Sequence, residues 1–292
     1  VTELNVDSAG HLDLDELKGE ISGDTALVSV MWANNETGVI HPVGAIGDLA
    51  KQFGALVHVD AAQAAGKLKL DLAEEPAVDF LTISAHKFHG LKGCGALFVR
   101  EGTGFEPLIR GGHHETGRRA GTENTLGIVA LGAAADLARR KLDAHIEHMR
   151  KMRDRLERGL MAKCDDVTLN GDPVSRLPNT TNLGFACVDG EALLMMMDAE
   201  NICATAGSAC RSGSMEPSHV LKAMNVPLWA IHGSVRFCVS RYTTEDEVDA
   251  LVEKVSAIVR RLREISPFGA RSAPRQPTDA ELEAHKAYFA RA

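Results

Sequence analysis

The sequence predicts an α/β protein: a mostly parallel sheet with helical crossovers, followed by a smaller α/β unit and a terminal extension. Three observations predict it. Short apolar runs rich in β-branched residues alternate with stretches of helical periodicity. Two of those runs end on polar groups, Asp60 and Ser84-Ala85-His86-Lys87, as strands of a parallel sheet do where they open onto a ligand crevice. A long helical stretch then separates this first set from a second set of strands and helices.

Taken in order, Asp13 to Ile21 reads as a short helix, with Asp13 as its N-cap and Glu16 placed three residues on, as in a capping box. Ala26 to Met31 is a buried strand by its apolar, β-branched composition. Ile46, Leu49, Ala50 and Phe53 recur at helical spacing, and Gly54 closes that helix. Ala55 to Val59 and Val78 to Ile83 are further strands, and Cys94 to Val99 adds an antiparallel edge strand. The segment from Arg110 to Asn124 is too glycine-rich and basic for core. From Thr122 to Leu160 the chain is helical, with Leu142, Ile146, Met149, Met152, Leu156 and Leu160 forming one stripe. The later unit carries strands near Val167 to Leu169, Asn182 to Val188 and Ser234 to Val239. Its helices run near Glu191 to Ala199, Ser218 to Met224 and Glu245 to Ile265. Residues 1–140 and 141–265 form the two units, and residues 266–292, rich in Gly, Ser and Pro at their start, form a surface tail.

A chain of 292 residues can bury roughly 75% of the surface its unfolded form exposes, so a stable core is easily built. No apolar run reaches the roughly 18 residues of a membrane span. The first residues lack the basic start and apolar core of a signal peptide, so the expected location is the cytoplasm. With 32 basic against 40 acidic residues, the balance of -8 argues against general nucleic-acid binding. Six cysteines without a CxxC pair suit free thiols in a reducing compartment, and no four-ligand Cys/His spacing supports a metal site.

A lysine that attacks a carbonyl must be held where its amine can lose a proton. Lys87 stands just past a strand end, beside Ser84 and His86, which can donate to phosphate oxygens. Asp60 ends another strand, where a carboxylate can pair with a protonated pyridine nitrogen. Gln63, three residues later, can reach a phenolic oxygen. Residue type alone leaves a second reading open, in which Asp60 caps a turn and the SAHK segment is solvated loop. Arg236 has the same ambiguity. Within a strand it must be paired, by the carboxylate of a ligand or by a structural ion pair.

The segments VHVDAAQAAGK (57–67), FLTISAHKFHGLKGCGALFVR (80–100), GRRAGTENT (117–125) and GSACRSGSMEPSHVLKAM (207–224) closely resemble the cysteine desulfurases of the class V aminotransferase-like family. The resemblance extends over about residues 1–265, and the four motifs stand in the family's order and spacing. The long segment after Cys210 is similar to the NifS/IscS group, and the RYTTEDEVD ending to its nitrogenase-associated branch. The resemblance implies the aspartate-aminotransferase-like fold type I. Residues 1–140 would be the C-terminal portion of the large domain, lacking its usual N-terminal part, and residues 141–265 the small domain. It implies pyridoxal 5'-phosphate held by Lys87, with Asp60 on the ring nitrogen, Gln63 on the phenolic oxygen, and Ser84 and His86 on the phosphate. Asn35, in WANNETG, would lie near the ring and the substrate carboxylate, and Arg236 would clamp that carboxylate. Thr122 would reach the phosphate of a neighbouring subunit in a homodimer. Cys210 would accept sulfur from L-cysteine and pass it to an iron-sulfur scaffold protein.

The chemistry asks Cys210 to act as a thiolate, and Arg211 is the nearest cation in sequence. Small residues on both sides of Cys210 suit a thiol that must move. Cys94, Cys187 and Cys238 read as buried hydrophobes within strand runs, Cys203 as core, and Cys164, beside two aspartates, as surface. Two rival readings stay open on sequence alone. One is a selenocysteine lyase or related lyase with overlapping pocket motifs, and the other is a noncatalytic protein that binds an iron-sulfur assembly partner.

Overall fold

The computed structural model describes residues 1–207 and 217–266. Helix α1 (Leu14–Glu20) starts at Asp13, whose carboxylate accepts from the amides of Asp15 and Glu16. The reciprocal half of the capping box does not close, because Glu16 accepts instead from the main-chain and side-chain amides of Asn5.

Strands β1 (Leu27–Met31), β2 (Leu56–Asp60) and β3 (Phe80–Ser84) lie side by side in parallel, and β4 (Gly95–Val99) returns antiparallel at the edge. Helix α2 (Val43–Gln52) makes the crossover from β1 to β2 and ends before Gly54, whose φ of 77° few other residues adopt. The core beneath it gathers Val43, Ala50, Val57, Val59, Val78 and Leu81. Burying each such side chain stabilises the fold by about 1.5–3 kcal/mol at most. The sheet is not buried on both faces as expected for β1. Leu27 and Met31 are exposed, because β1 is an edge among the described strands and its outer face meets no described element.

The long helical stretch is two helices, α3 (Thr125–Arg140) and α4 (Leu142–Lys163), broken at Lys141. Three consecutive cations, Arg139 to Lys141, sit at the C-terminal end of α3, where the helix dipole favours them. Helix α3 begins at Asn124, whose side chain accepts from Gly127, so Thr122 lies before it.

The second sheet is antiparallel, in the order β5 (Val167–Leu169), β6 (Thr180–Phe185), β7 (Ser234–Cys238). Helices α4, α5 (Gly190–Ala199) and α8 (Glu245–Ile265) cover it, burying Met152, Leu156, Leu160, Phe185, Val235, Val255 and Val259. Short helices α6 (His219–Ala223) and α7 (Leu228–His232) lead into β7. Among the described residues, no helix is long and apolar enough to cross a membrane.

The cysteines depart from expectation. Cys164 is buried in the second core, where the end of α4 turns it under Leu160 rather than toward its aspartate neighbours. Cys203 and Cys238 are exposed, and Cys94 and Cys187 are half-buried. In β7 the alternation sends Phe237 inward and so Cys238 outward, and Cys94 precedes its strand rather than lying in it. Cys210, Arg211 and the tail from residue 267 lie outside the described residues.

Candidate active site

The parallel register sets the site. Asp60 is the last residue of β2 and stands opposite Thr82 of β3, two residues before Ser84. Asp60, Thr82 and Ser84 therefore share one sheet face. Beyond β3 the chain makes a 3-10 turn, Ala85–Phe88, that carries Lys87 half-buried at its third position. His86 is exposed on the same turn, and its Nδ1 lies 3.0 Å from the Ser84 hydroxyl. The turn ends at His89 with φ of 73°, and the amide of Gly90 donates to Ala85.

The turn-capping role for Asp60 is real, since its Oδ1 accepts from the amide of Ala62 at 2.8 Å. That contact also fixes the carboxylate at the strand end. Gln63 follows in the same turn, half-buried, and its carbonyl accepts from the ammonium of Lys67.

A second set of groups centres on β7 and the segment after β1. Arg236 donates from Nη1 to the carbonyl of Asn35 at 2.5 Å, and its amide donates to Thr205. Its Nε is buried and finds no partner, and no carboxylate pairs with it among the described residues. The structural ion pair thus fails as its explanation, and a guanidinium with a donor to spare suits a carboxylate from outside the chain.

Residue Glu36, which sequence reasoning passed over, anchors the segment of Asn35 to the second unit. It is buried, its carbonyl accepts from Asn182 of β6, and its carboxylate accepts from the hydroxyl of Ser218 at 2.5 Å. On the other side stands Gly207, with φ of 79°, and a Cβ there would meet Glu36 Oε2 at 3.0 Å. Gly207 and Ser218 are the described residues on either side of the segment that carries Cys210. The signal for Glu36 was its position in the WANNETG segment, one residue after Asn35. Thr122 is exposed, and no hydrogen bond among the described residues joins it to the cluster.

Lys67 was likewise missed, although it closes the first motif. Its ammonium donates to the carbonyls of both Gln63 and Lys87, at 2.9 and 3.2 Å. Burial pushes it down to about 8, with Cys238 raising it and Lys87 lowering it further. It lines a cavity of about 200 Å³ with Lys87, His89, His145, Cys238 and Arg241.

The donor set fits pyridoxal phosphate. A half-buried amine, a fixed carboxylate on the neighbouring strand end, and hydroxyl and imidazole donors beside the amine are the groups its aldehyde, ring nitrogen and phosphate require.

Comparison with known proteins agrees with that fit. The family described as Aminotransferase class-V matches residues 1–251. The chain is 53% identical over 268 residues to a cysteine desulfurase of Nostoc sp., covering 92% of this chain and 67% of that protein. It is 46% identical to the cysteine desulfurase NifS of Azotobacter vinelandii, covering 94% and 68%. Among solved structures, a NifS-like protein superposes with a TM-score of 0.82 at 37% identity, covering 89% of this chain and 68% of that one. A NifS-like protein from Rickettsia africae gives 0.80 at 32% identity, covering 88% and 69%. The fold is therefore that of fold type I, as the motifs implied, and the chain spans about two thirds of the length of the relatives it matches.

Proposed function

The chain belongs to the class-V aminotransferase family and is a pyridoxal phosphate-dependent cysteine desulfurase, and we propose that Lys87, Asp60, Arg236 and Cys210 divide its work as follows. The substrate is L-cysteine. Arg236, with its uncommitted Nε, receives the carboxylate, and Asn35, whose carbonyl holds Arg236, keeps the guanidinium aimed. Lys87 would hold the cofactor through its amine, Asp60 the ring nitrogen, Gln63 the phenolic oxygen, and Ser84 and His86 the phosphate. When bound, the cofactor accepts the electron pair left on Cα as its proton departs. The amine of Lys87 takes that proton, and Asp60 keeps the ring nitrogen protonated.

The thiolate of Cys210 then attacks the substrate sulfur. A sulfur-sulfur bond forms, the Cβ-sulfur bond breaks with its electron pair left on Cβ, Cβ takes a proton, and the ammonium of Lys87 returns its proton to Cα to complete L-alanine. The transferred sulfur is oxidised and the carbon reduced, so no outside redox partner is needed. The persulfide on Cys210 passes to an iron-sulfur scaffold protein, and Thr122 reaches the phosphate of a neighbouring subunit in a homodimer. Its exposure supports that outward role.

The observation that carries this reading is the pair of strand ends, with Asp60 and the Lys87 turn on neighbouring strands, together with a guanidinium of the other sheet that holds the Asn35 segment and keeps its Nε uncommitted. Lys87→Ala should abolish the visible absorbance of bound cofactor and alanine release. Cys210→Ala should keep the absorbance and lose the persulfide that mass spectrometry maps to that residue. Alanine release at the wild-type rate from Lys87→Ala, or persulfide mapped to Cys203, would refute the assignment.

A further inference from the structure

A lysine ammonium with 7% of its surface exposed, and no carboxylate to meet it among the described residues, is costly to the fold. Lys67 is such a group. Its hydrogen-bond partners among the described residues are two main-chain carbonyls, one from Gln63 in the turn after β2 and one from Lys87 in the turn after β3. The titratable and charged groups that face it come from three places. Lys87 and His89 come from the 3-10 turn and its end, His145 from α4, and Cys238 and Arg241 from the end of β7. None of them is a carboxylate. An apolar side chain would fill this position at lower cost to the fold.

We propose that Lys67 is a positioning residue for the cofactor-bearing lysine: it locks the main chain of Lys87 to that of Gln63 and sets a positive charge beside the Lys87 amine. The inference rests on the reading of Lys87 as the residue that holds the cofactor. Two consequences follow from the geometry. One ammonium spanning two strand-end turns fixes the spacing between the residue that holds the cofactor and the residue assigned to its phenolic oxygen. A nearby cation also opposes protonation of any nitrogen at Lys87, so it favours the neutral form that can take up a proton. Burial lowers the pKa of Lys67 to about 8, so its ammonium is still mostly charged at neutral pH.

The test compares full-length wild-type protein with Lys67→Met, Lys67→Gln and Lys67→Arg. Three readouts are taken: thermal midpoint, cofactor affinity by titration of the cofactor-free protein, and the pH midpoint of the bound cofactor's visible absorbance. Lys67→Met should melt no lower than wild type, yet bind cofactor about tenfold more weakly, the loss expected for one or two hydrogen bonds. Its absorbance midpoint should move up by on the order of one pH unit, because the opposing charge is gone. Lys67→Arg keeps the charge and should hold the midpoint near wild type.

A purely structural lysine would lower the melting temperature of Lys67→Met and leave the midpoint in place, and that result overturns the proposal. Should Lys67→Met fail to fold, Lys67→Gln decides. Its amide can still donate, so an unmoved midpoint in that variant refutes the charge role. Wild-type protein that shows no visible band overturns the assignment of Lys87, and this inference with it. A normal wild-type band that all three variants reproduce in affinity and midpoint sinks only the role of Lys67.

Discussion

A single unshared nitrogen gives Arg236 its meaning. Its Nη1 is committed to Asn35 and its Nε is buried with nothing to meet, so the guanidinium is held but unfinished. A carboxylate that completes the fork gains charge-assisted hydrogen bonds that a lysine cannot reproduce. Arg236→Lys should therefore lower kcat/KM for cysteine about 30-fold, from the roughly 2 kcal/mol of a charged hydrogen bond. Cofactor absorbance should stay intact, and steady-state kinetics showing an unchanged kcat/KM would remove Arg236 from the substrate site. Lys67 makes a prediction of the opposite kind, about stability. Its folded pKa is lowered to about 8, against an ordinary value of about 10.4. Between these values the unfolded chain binds more protons, so the penalty is complete below about 8 and fades as pH rises. Cofactor-free wild type should gain about 2 kcal/mol relative to Lys67→Met between pH 7.5 and 9.5, read by urea denaturation at each pH. Parallel curves for the two proteins would show that the ammonium is not strained by its burial. Sequence alone marked Arg236 as an arginine in need of a partner but could not choose between a ligand and an ion pair, and it passed over Lys67, because both answers depend on which groups surround the side chain.

At the scale of elements, the strand ends were legible and the surroundings of the thiol were not. Asp60 and Lys87 were found because a strand that ends on a polar residue announces its own boundary, and parallel pairing then brings neighbouring ends together. Gly207 and Ser218 share no periodic pattern with Glu36, more than 150 residues before them, so their meeting is visible only in the fold. Their geometry is demanding. Gly207 holds φ at 79°, and a methyl group added there would stand 3.0 Å from Glu36 Oε2, the oxygen that accepts from Ser218. Gly207→Ala should thus cost about 1 kcal/mol from backbone strain and displace that carboxylate. We expect a several-fold lower rate of persulfide formation on Cys210 with cofactor absorbance unchanged, followed by single-turnover mass spectrometry. Wild-type persulfide kinetics in this variant would show that Glu36 and its neighbours do not influence the thiol. The break between α3 and α4 was also missed, since the apolar stripe begins only at Leu142, after the break, and no glycine or proline marks the single non-helical residue, Lys141.

For the whole molecule, the open question in the sequence was how the two sheets meet, because periodicity reports what an element buries and not what it faces. We propose the division into units near residue 140, supported by the separate cores of the two sheets. Main-chain contacts join Gly38 and Val39 of the first unit to Arg176 and Leu177 of the second, Val6 packs on Leu221 and Met224, and an ion pair within the second unit backs the Arg176 contact. Arg176 pairs with Glu157 of α4 through two hydrogen bonds, and Thr181 of β6 donates to the same carboxylate. Burial works against the charge on Glu157, yet those donors hold its carboxyl below the usual range. Arg176 also forms a bridge with Val39, and Leu177 donates to Gly38, so the segment that holds Asn35 and Glu36 hangs on this ion pair. The guanidinium side chain is only 4% exposed and its Nε has no partner, so removal of Glu157 would strand a buried charge. Glu157→Ala should then cost about 3–5 kcal/mol of stability, whereas replacing both partners by Leu and Met should cost much less. Because the same contacts seat Asn35 under Arg236, the single variant should also raise KM for cysteine at a temperature where it remains folded. Urea denaturation and steady-state kinetics on the two variants decide the matter. A Glu157→Ala protein that loses under 1 kcal/mol and keeps its KM would mean that this pair neither secures Arg176 nor seats the segment that holds Asn35.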